Sequence, residues 1–421
     1  MPLTLMSPTA IQSAKSRRTC MTPVILASLV VGSICTFSTA AAVRLPSSAP
    51  FKLIDNRVFV SARLNGQGPY SFLLDTGADG WTVSAEVAHG LTLAQGRAQQ
   101  IEGVGEGRDT VHEVLLRKVE LAGLSFSGQS AVSEDFSALD EVIGFQHFDG
   151  IAGKPVFDRY VVGLDFARSL VSFSPGVGYS VPANAQIVPF KFFDKAIPIV
   201  AGEIAGVNGL FVVDLGDRSS LTLFGPFWRA HHLDKTLGPG LVSLTGYGVG
   251  GAVQGELVRI PEFVMSGVPV RGVVARLSLQ KAGVFGTSAI AGSIGTGLLK
   301  RFNVSFDYPH RRIVLERVSG RDVPDSADRS GLWLGRKGRQ FKVFDVIPKG
   351  PGDLAGIKKG DIITAVDGTA TERLDLFAVR KELMSSARKS VALTVERKSH
   401  SSEVTVILRD LIATPEAGIQ Q

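Results

Sequence analysis

Two aspartates stand in matching local contexts, one in each half of a long stretch of short apolar runs. Phe72-Leu73-Leu74-Asp75-Thr76-Gly77-Ala78 returns as Phe211-Val212-Val213-Asp214-Leu215-Gly216-Asp217. An apolar run closed by Asp and Gly describes a buried strand that ends in a sharp turn and aims its carboxylate into a cleft. Two such carboxylates brought face to face cannot both ionise cheaply, so they share one proton over a range of pH. The ionised member can take a proton from water. Its protonated partner polarises a carbonyl and then helps protonate a leaving nitrogen. That is amide hydrolysis, and Asp75 and Asp214 are its candidate catalytic residues. Thr76, Gly77, Leu215 and Gly216 are the residues that would support the two loops.

The elements that must position this pair read as β-strands. From Phe51 to about Arg317, short Val/Ile/Leu/Phe runs alternate with Gly, Asp and Asn, as in 57–62, 114–116 and 190–200, and long helical periodicity is scarce. The stretch also repeats itself. Gly150-Ile151-Ala152-Gly153 corresponds to Gly292-Ser293-Ile294-Gly295, and Tyr160–Phe166 corresponds to Phe302–Tyr308. Three landmarks in one order indicate duplicated lobes, and similar lobes place equivalent residues across a pseudo-two-fold axis. One chain then supplies both acids, so oligomerisation is not required for the dyad.

On these motifs, residues 50 to 317 resemble the retropepsin-like and pepsin-like aspartic proteases in a bacterial single-chain form. The resemblance implies an all-β, duplicated bilobal fold and an endopeptidase whose cleft takes an extended polypeptide. It also implies that Ile151-Ala152-Gly153 and Ser293-Ile294-Gly295 buttress the catalytic loops. Leu215 departs from the family, which has Thr or Ser there, so the reciprocal interlobe hydrogen bonds would be at least half lost. Asp217 adds a third acid beside the second loop, where it could bind Arg218 or solvent, or perturb the dyad. A catalytically weak or inactive exported peptide-binding or scaffold protein is therefore the alternative. The glycine-rich segments 101–107 and 244–250 align with each other and lie where the family carries mobile flaps. Gly103, Val104 and Gly105 are the candidates in the first flap, and Gly246, Tyr247 and Gly248 in the second.

Residues 347–363, from Ile347-Pro348-Lys349-Gly350 to Gly360-Asp361-Ile362-Ile363, followed by Asp367-Gly368, resemble a PDZ domain. That implies a small mixed α/β unit that adds an extended peptide to a strand edge. The candidate groove lies between the strand 340–346 and a helix over 374–383, with Phe341, Val343, Leu374 and Phe377 as peptide contacts. Its ligand would be a protein C-terminus or an internal peptide. The expected organisation is a leader at 1–42, lobes at 43–185 and 186–319, a linker at 320–330 with little to bury, the PDZ unit at 331–412 and a tail at 413–421.

The leader has a basic start (Lys15, Arg17, Arg18), a mainly apolar run from Val24 to Ala41, and small residues at Ala40-Ala41-Ala42. It reads as a signal peptide, with an uncleaved membrane anchor as the alternative. The expected location is outside the cytoplasm, periplasmic in a Gram-negative host. Both cysteines, Cys20 and Cys35, lie in it, so a mature chain has no disulfide, thiol nucleophile or cysteine-bound metal. Removing it takes the formal net charge from +6 to about +3 with no basic stripe, which does not indicate nucleic-acid binding. No histidine spacing makes a metal site, and the glycine loops lack the βαβ setting of a dinucleotide site. No cofactor or metal is expected.

Overall fold

A computed structural model of the chain describes residues 47–412. The leader and the last nine residues, with the expectations attached to them, lie outside the described residues. The described chain is mostly β.

Two eight-stranded sheets repeat one topology. The first runs in the order Lys52–Ile54, Arg57–Leu64, Gln67–Leu74, Gly150–Ala152, Trp81–Ser84, Leu124–Glu134, Arg108–Leu121, Ala98–Glu102. The second runs Lys191–Phe193, Ile197–Ile204, Val207–Asp214, Gly292–Gly295, Leu221–Leu223, Val268–Ser278, Gly251–Met265, Leu241–Gly248. Each position in one order has its counterpart in the other. Apolar residues alternate inward along these strands, as a sheet with one face on a core requires.

A six-stranded sheet joins the lobes. Its centre is the antiparallel pair Val161–Asp165 and Phe302–Asp307, in register at Val162↔Phe306, Gly163↔Ser305 and Leu164↔Val304. The segments that match in sequence thus pair with one another, as elements beside a pseudo-two-fold axis must. One hydrophobic cluster runs through both lobes and includes Phe72, Trp81, Phe173, Phe211, Phe263 and Phe306. Burying each such side chain contributes roughly 1.5–3 kcal/mol before conformational entropy is offset.

The third unit has its own core of Leu334, Phe341, Val343, Ile363, Leu376, Leu383, Leu393 and Val406. Its sheet runs Leu332–Lys337, Gln340–Val346, Ile362–Val366, Ser390–Arg397, His400–Ile407. The segment before it is not the bare spacer its composition suggests. Asp325 accepts from the Val274 amide at 2.8 Å and from Arg301 at 2.6 Å, and its carbonyl takes a bond from Arg259. Polar residues dock here through ion pairs rather than apolar burial, which composition alone does not register.

Candidate active site

Each of the two Asp-Xaa-Gly loops is held by its buttress strand. Gly150–Ala152 lies parallel to the strand before Asp75, pairing Phe72↔Gly150, Leu73↔Ile151 and Leu74↔Ala152. In the second lobe Gly292–Gly295 does the same, and Asp214 is opposite Gly295. The glycines of both loops sit against the opposite carboxyl. A Cβ at Gly77 would lie 2.7 Å from Asp214 Oδ1, and one at Gly216 would lie 2.5 Å from Asp75 Oδ2. Only glycine permits this approach.

The two carboxyls are thereby brought close together, each against the opposite loop. The Gly77 amide donates to Asp75 Oδ1 at 2.7 Å, and the Gly216 amide donates to Asp214 Oδ1 at 2.7 Å. Asp214 is pushed well above the ordinary carboxylate range, first by burial, then by the charges of Asp75 and Asp217. Asp75 is also raised by burial, but the Gly77 amide, Asp214, the Gly216 amide and Arg57 counter it. Asp214 carries the larger upward shift, and the macroscopic titrations belong to the pair.

The sign of this shift gives a stability prediction. A carboxyl whose folded pKa is raised contributes stability below its unfolded pKa and loses it as pH rises through the folded value. Asp214→Asn removes the group that must stay protonated or ionise in a buried site. Its melting temperature should therefore exceed that of the parent at neutral pH, with the gap closing toward pH 4. A gap that widens toward low pH in thermal scans would contradict the assignment.

Thr76 is buried and bridges the lobes, donating to the Val213 carbonyl at 2.7 Å and accepting from the Leu215 amide at 3.0 Å. Leu215 points into the shared core with no exposure. Half of the reciprocal arrangement is therefore present. Thr296 donates to the Leu215 carbonyl at 3.1 Å and adds a second tie. Asp217 does not pair with Arg218. It meets Arg276 at 3.3 Å, accepts from Thr222 and the Ser219 amide, and its carboxyl is held below its usual range by these groups against the cost of burial.

Arg218 instead meets Asp55 at 2.6 Å, where Arg57 also bonds at 2.8 Å. Burial opposes ionisation of Asp55, but Arg218, Arg57 and Arg380 outweigh it and keep the carboxyl low. This cluster escaped the sequence reading. So did the Arg276–Asp217 pair, for which a signal was present: a single Arg inside an apolar run, as at Val273-Val274-Ala275-Arg276-Leu277, marks a buried pair because an unpaired charge is not tolerated there.

The glycine-rich hairpins meet tip to tip. The Gly105 amide donates to the Val249 carbonyl and the Gly107 amide to the Gly250 carbonyl, both at 2.9 Å. The second tip is Val249-Gly250, so Gly246, Tyr247 and Gly248 belong to the strand leading to it. Each flap packs on the opposite lobe. Val104 lies on Ile199, Val212, Phe224 and Phe285, while Tyr247 joins Phe59, Leu73, Phe145 and Ile151. Successive strand residues alternate faces, so Leu73 and Asp75 share the cleft face, as do Val212 and Asp214. Leu73 and Val212 are both buried in apolar clusters against which the hairpins pack.

The expected peptide groove of the third unit needs correction. Gln340–Val346 is paired with Leu332–Lys337 on one side and, from Phe341 to Val343, with the segment 360–363 on the other, so it is interior at both candidate residues. Phe341 and Val343 are fully buried in the core rather than available to a ligand. The helix is Leu376–Leu383, capped by Asp375, and Leu374 precedes it and packs on the core. The edge strand beside that helix is Leu332–Lys337, and the helix Ser137–Ile143 of the first lobe covers it. Trp333 Nε1 donates to the Val142 carbonyl at 2.9 Å, Lys342 pairs with Glu141 at 2.9 Å, and a Cβ at Gly335 would lie 2.5 Å from the Glu141 carbonyl oxygen. Phe377 packs on Phe145, with ring centroids 5.5 Å apart. Among the described residues, no group of three or more His, Cys, Asp or Glu side chains could hold a metal ion.

Comparison with known proteins gives two domain matches. The protein-family model for aspartyl protease matches residues 60–151, and that for the PDZ domain matches residues 343–397. A relative from Staphylococcus saprophyticus described as a probable CtpA-like serine protease is 24% identical over 131 residues, 30% of this chain. The match spans about a quarter of that relative, 26% of its length. Among solved structures, an aspartic proteinase from Irpex lacteus aligns with a TM-score of 0.44 at 15% identity, over 65% of this chain and 97% of the other.

Proposed function

From an aspartyl-protease domain followed by a C-terminal PDZ domain, we propose an endopeptidase that hydrolyses peptide bonds with a shared-proton aspartate dyad. The observation that carries this reading is the close pair Asp75 and Asp214, each carboxyl against the glycine of the other's loop, with Asp214 the more strongly raised. Asp75 takes a proton from a water held between the carboxyls, and the water oxygen bonds to the carbonyl carbon of the substrate. The Asp214 proton passes to the carbonyl oxygen. When the tetrahedral intermediate collapses, the C–N bond breaks, the nitrogen leaves with the proton from Asp75, and Asp214 recovers its own. The apolar clusters around Leu73 and Val212 favour apolar side chains on both sides of the scissile bond.

The basic-then-apolar leader supports export, and a polypeptide substrate in the cleft fits an extracytoplasmic protein. The test is digestion of an unbiased peptide library by the mature chain from acidic to neutral pH, beside Asp75→Asn and Asp214→Asn. Selective products lost in both folded variants support the reading. Products that persist in both variants would sink the mechanism. No products from the parent would favour a peptide-binding protein, the reading that Leu215 supports.

A further inference from the structure

We propose that the PDZ domain completes the catalytic site by supplying Arg380 and Trp333 as positioning residues of the Asp214 loop; the catalytic consequence rests on the endopeptidase reading above. The path begins at Asp55, in the turn between Lys52–Ile54 and Arg57–Leu64. Its side chain is only 5% exposed, yet three guanidiniums converge on it. Arg218 Nη2 is 2.6 Å from Oδ1, Arg57 Nη1 is 2.8 Å from Oδ2, and Arg380 Nη1, from the PDZ helix, is 4.0 Å from Oδ1.

This cluster grips the loop at two points. Arg57 Nε donates to the Gly216 carbonyl at 2.9 Å, and Asn56 Nδ2 donates to the Arg218 carbonyl at 2.8 Å. Gly216 is the residue whose amide donates to Asp214 Oδ1. The indole of Trp333 lies against two of the guanidiniums, 5.3 Å from Arg218 and 5.1 Å from Arg380. Its own N–H is anchored on the Val142 carbonyl. Arg380 also donates to the Leu334 carbonyl, on the strand that carries Trp333.

The network is only partly satisfied: Arg218 Nε and Arg380 Nη1 are buried without a hydrogen-bond partner. A partly satisfied buried network keeps its geometry only where rigid neighbours hold it. Here the indole face and the Asp55 carboxylate supply that hold, by cation–π contact and charge. Without the PDZ contribution, Arg218 gains solvent and is free to leave Asp55, and the Gly216–Arg218 segment loses its brace. The second loop needs that brace because residue 215 has no hydroxyl to reciprocate the bonds of Thr76.

The experiment compares the full chain with Arg380→Gln, Arg380→Lys, Trp333→Leu and Trp333→Phe, by amide hydrogen exchange and by peptide hydrolysis. In Arg380→Gln and Trp333→Leu, exchange across residues 211–219 should rise about 10-fold, with the distant strand Ser390–Arg397 unchanged. The kcat should fall about 10-fold with KM within about 2-fold, because misplacing a reacting group costs turnover more than binding. Arg380→Lys and Trp333→Phe, which keep the charge and the aromatic face, should recover most of the loss. If Arg380→Gln does not fold, the Trp333 pair carries the same comparison. Unchanged exchange at 211–219 in the folded variants overturns the proposal, as does an equal rise in both segments. Faster loop exchange in a chain that hydrolyses nothing would support the positioning and count against the endopeptidase reading instead.

Discussion

Asp75→Asn and Asp214→Asn should each lower kcat/KM for peptide hydrolysis by at least about 10³-fold, the range expected when a positioned acid or base is removed. The two losses arise differently. Asn at 75 cannot take the proton from water, so no nucleophile forms. Asn at 214 still offers a hydrogen bond to the carbonyl oxygen but has no proton to give. The parent should show a bell-shaped pH profile. Its two limbs report the apparent titrations of the pair, the basic one carried upward by burial and by the charge of Asp217. Steady-state hydrolysis of one selected peptide across pH reads both limbs. A residual rate in Asp75→Asn within tenfold of the parent would remove the dyad from the mechanism.

Gly216→Ala should lower kcat about 10²-fold with little change in the melting temperature. The added methyl would sit 2.5 Å from Asp75 Oδ2, below any stable contact, so the carboxyl must move. A displacement near 1 Å between reacting groups carries a cost of about that size. Gly77→Ala is the mirror experiment, with its methyl 2.7 Å from Asp214 Oδ1. Both probe geometry without touching either acid, so they separate a site that works by position from one that needs only two carboxyls nearby. Kinetics of the two variants with unchanged thermal scans would make that distinction. A parent-like kcat in both would mean that the loops are free to shift.

Part of this was legible in the chain. Residues 72–77 and 211–216 announce strand, carboxylate and turn, because an apolar run ending in Asp and Gly has few other uses. The strand pairing Gly163↔Ser305 follows from a repeat visible as two similar segments. The groove was harder. Phe341 and Val343 look like ligand contacts on a strand next to a PDZ motif, yet that strand is interior. Which strand of a sheet is the edge depends on its neighbours, and a run of alternating apolar residues reads the same in either place. Asp217 does raise Asp214, one of the roles open to it, but its pairing with Arg218 does not form, for a related reason. Arg218 is adjacent in sequence, but successive residues diverge, and Arg276, remote in sequence, arrives on a neighbouring strand.

The sequence by itself determined the β-rich class, the duplication, the two Asp-containing turns and the C-terminal PDZ unit. All of these rest on local pattern: apolar alternation, glycine at turns, and motifs that recur along one chain. Only the tertiary structure decided which groups meet. It buried the two carboxyls together with Asp214 the more strongly raised, joined the flap tips through Gly105 and Val249, and gathered Asp55, Arg57, Arg218 and Arg380 from three parts of the chain. It also laid Ser137–Ile143 along the PDZ edge strand, whose backbone groups a peptide would otherwise use. Burial and charge proximity are properties of the assembled fold, and no window of sequence contains both partners of such a contact.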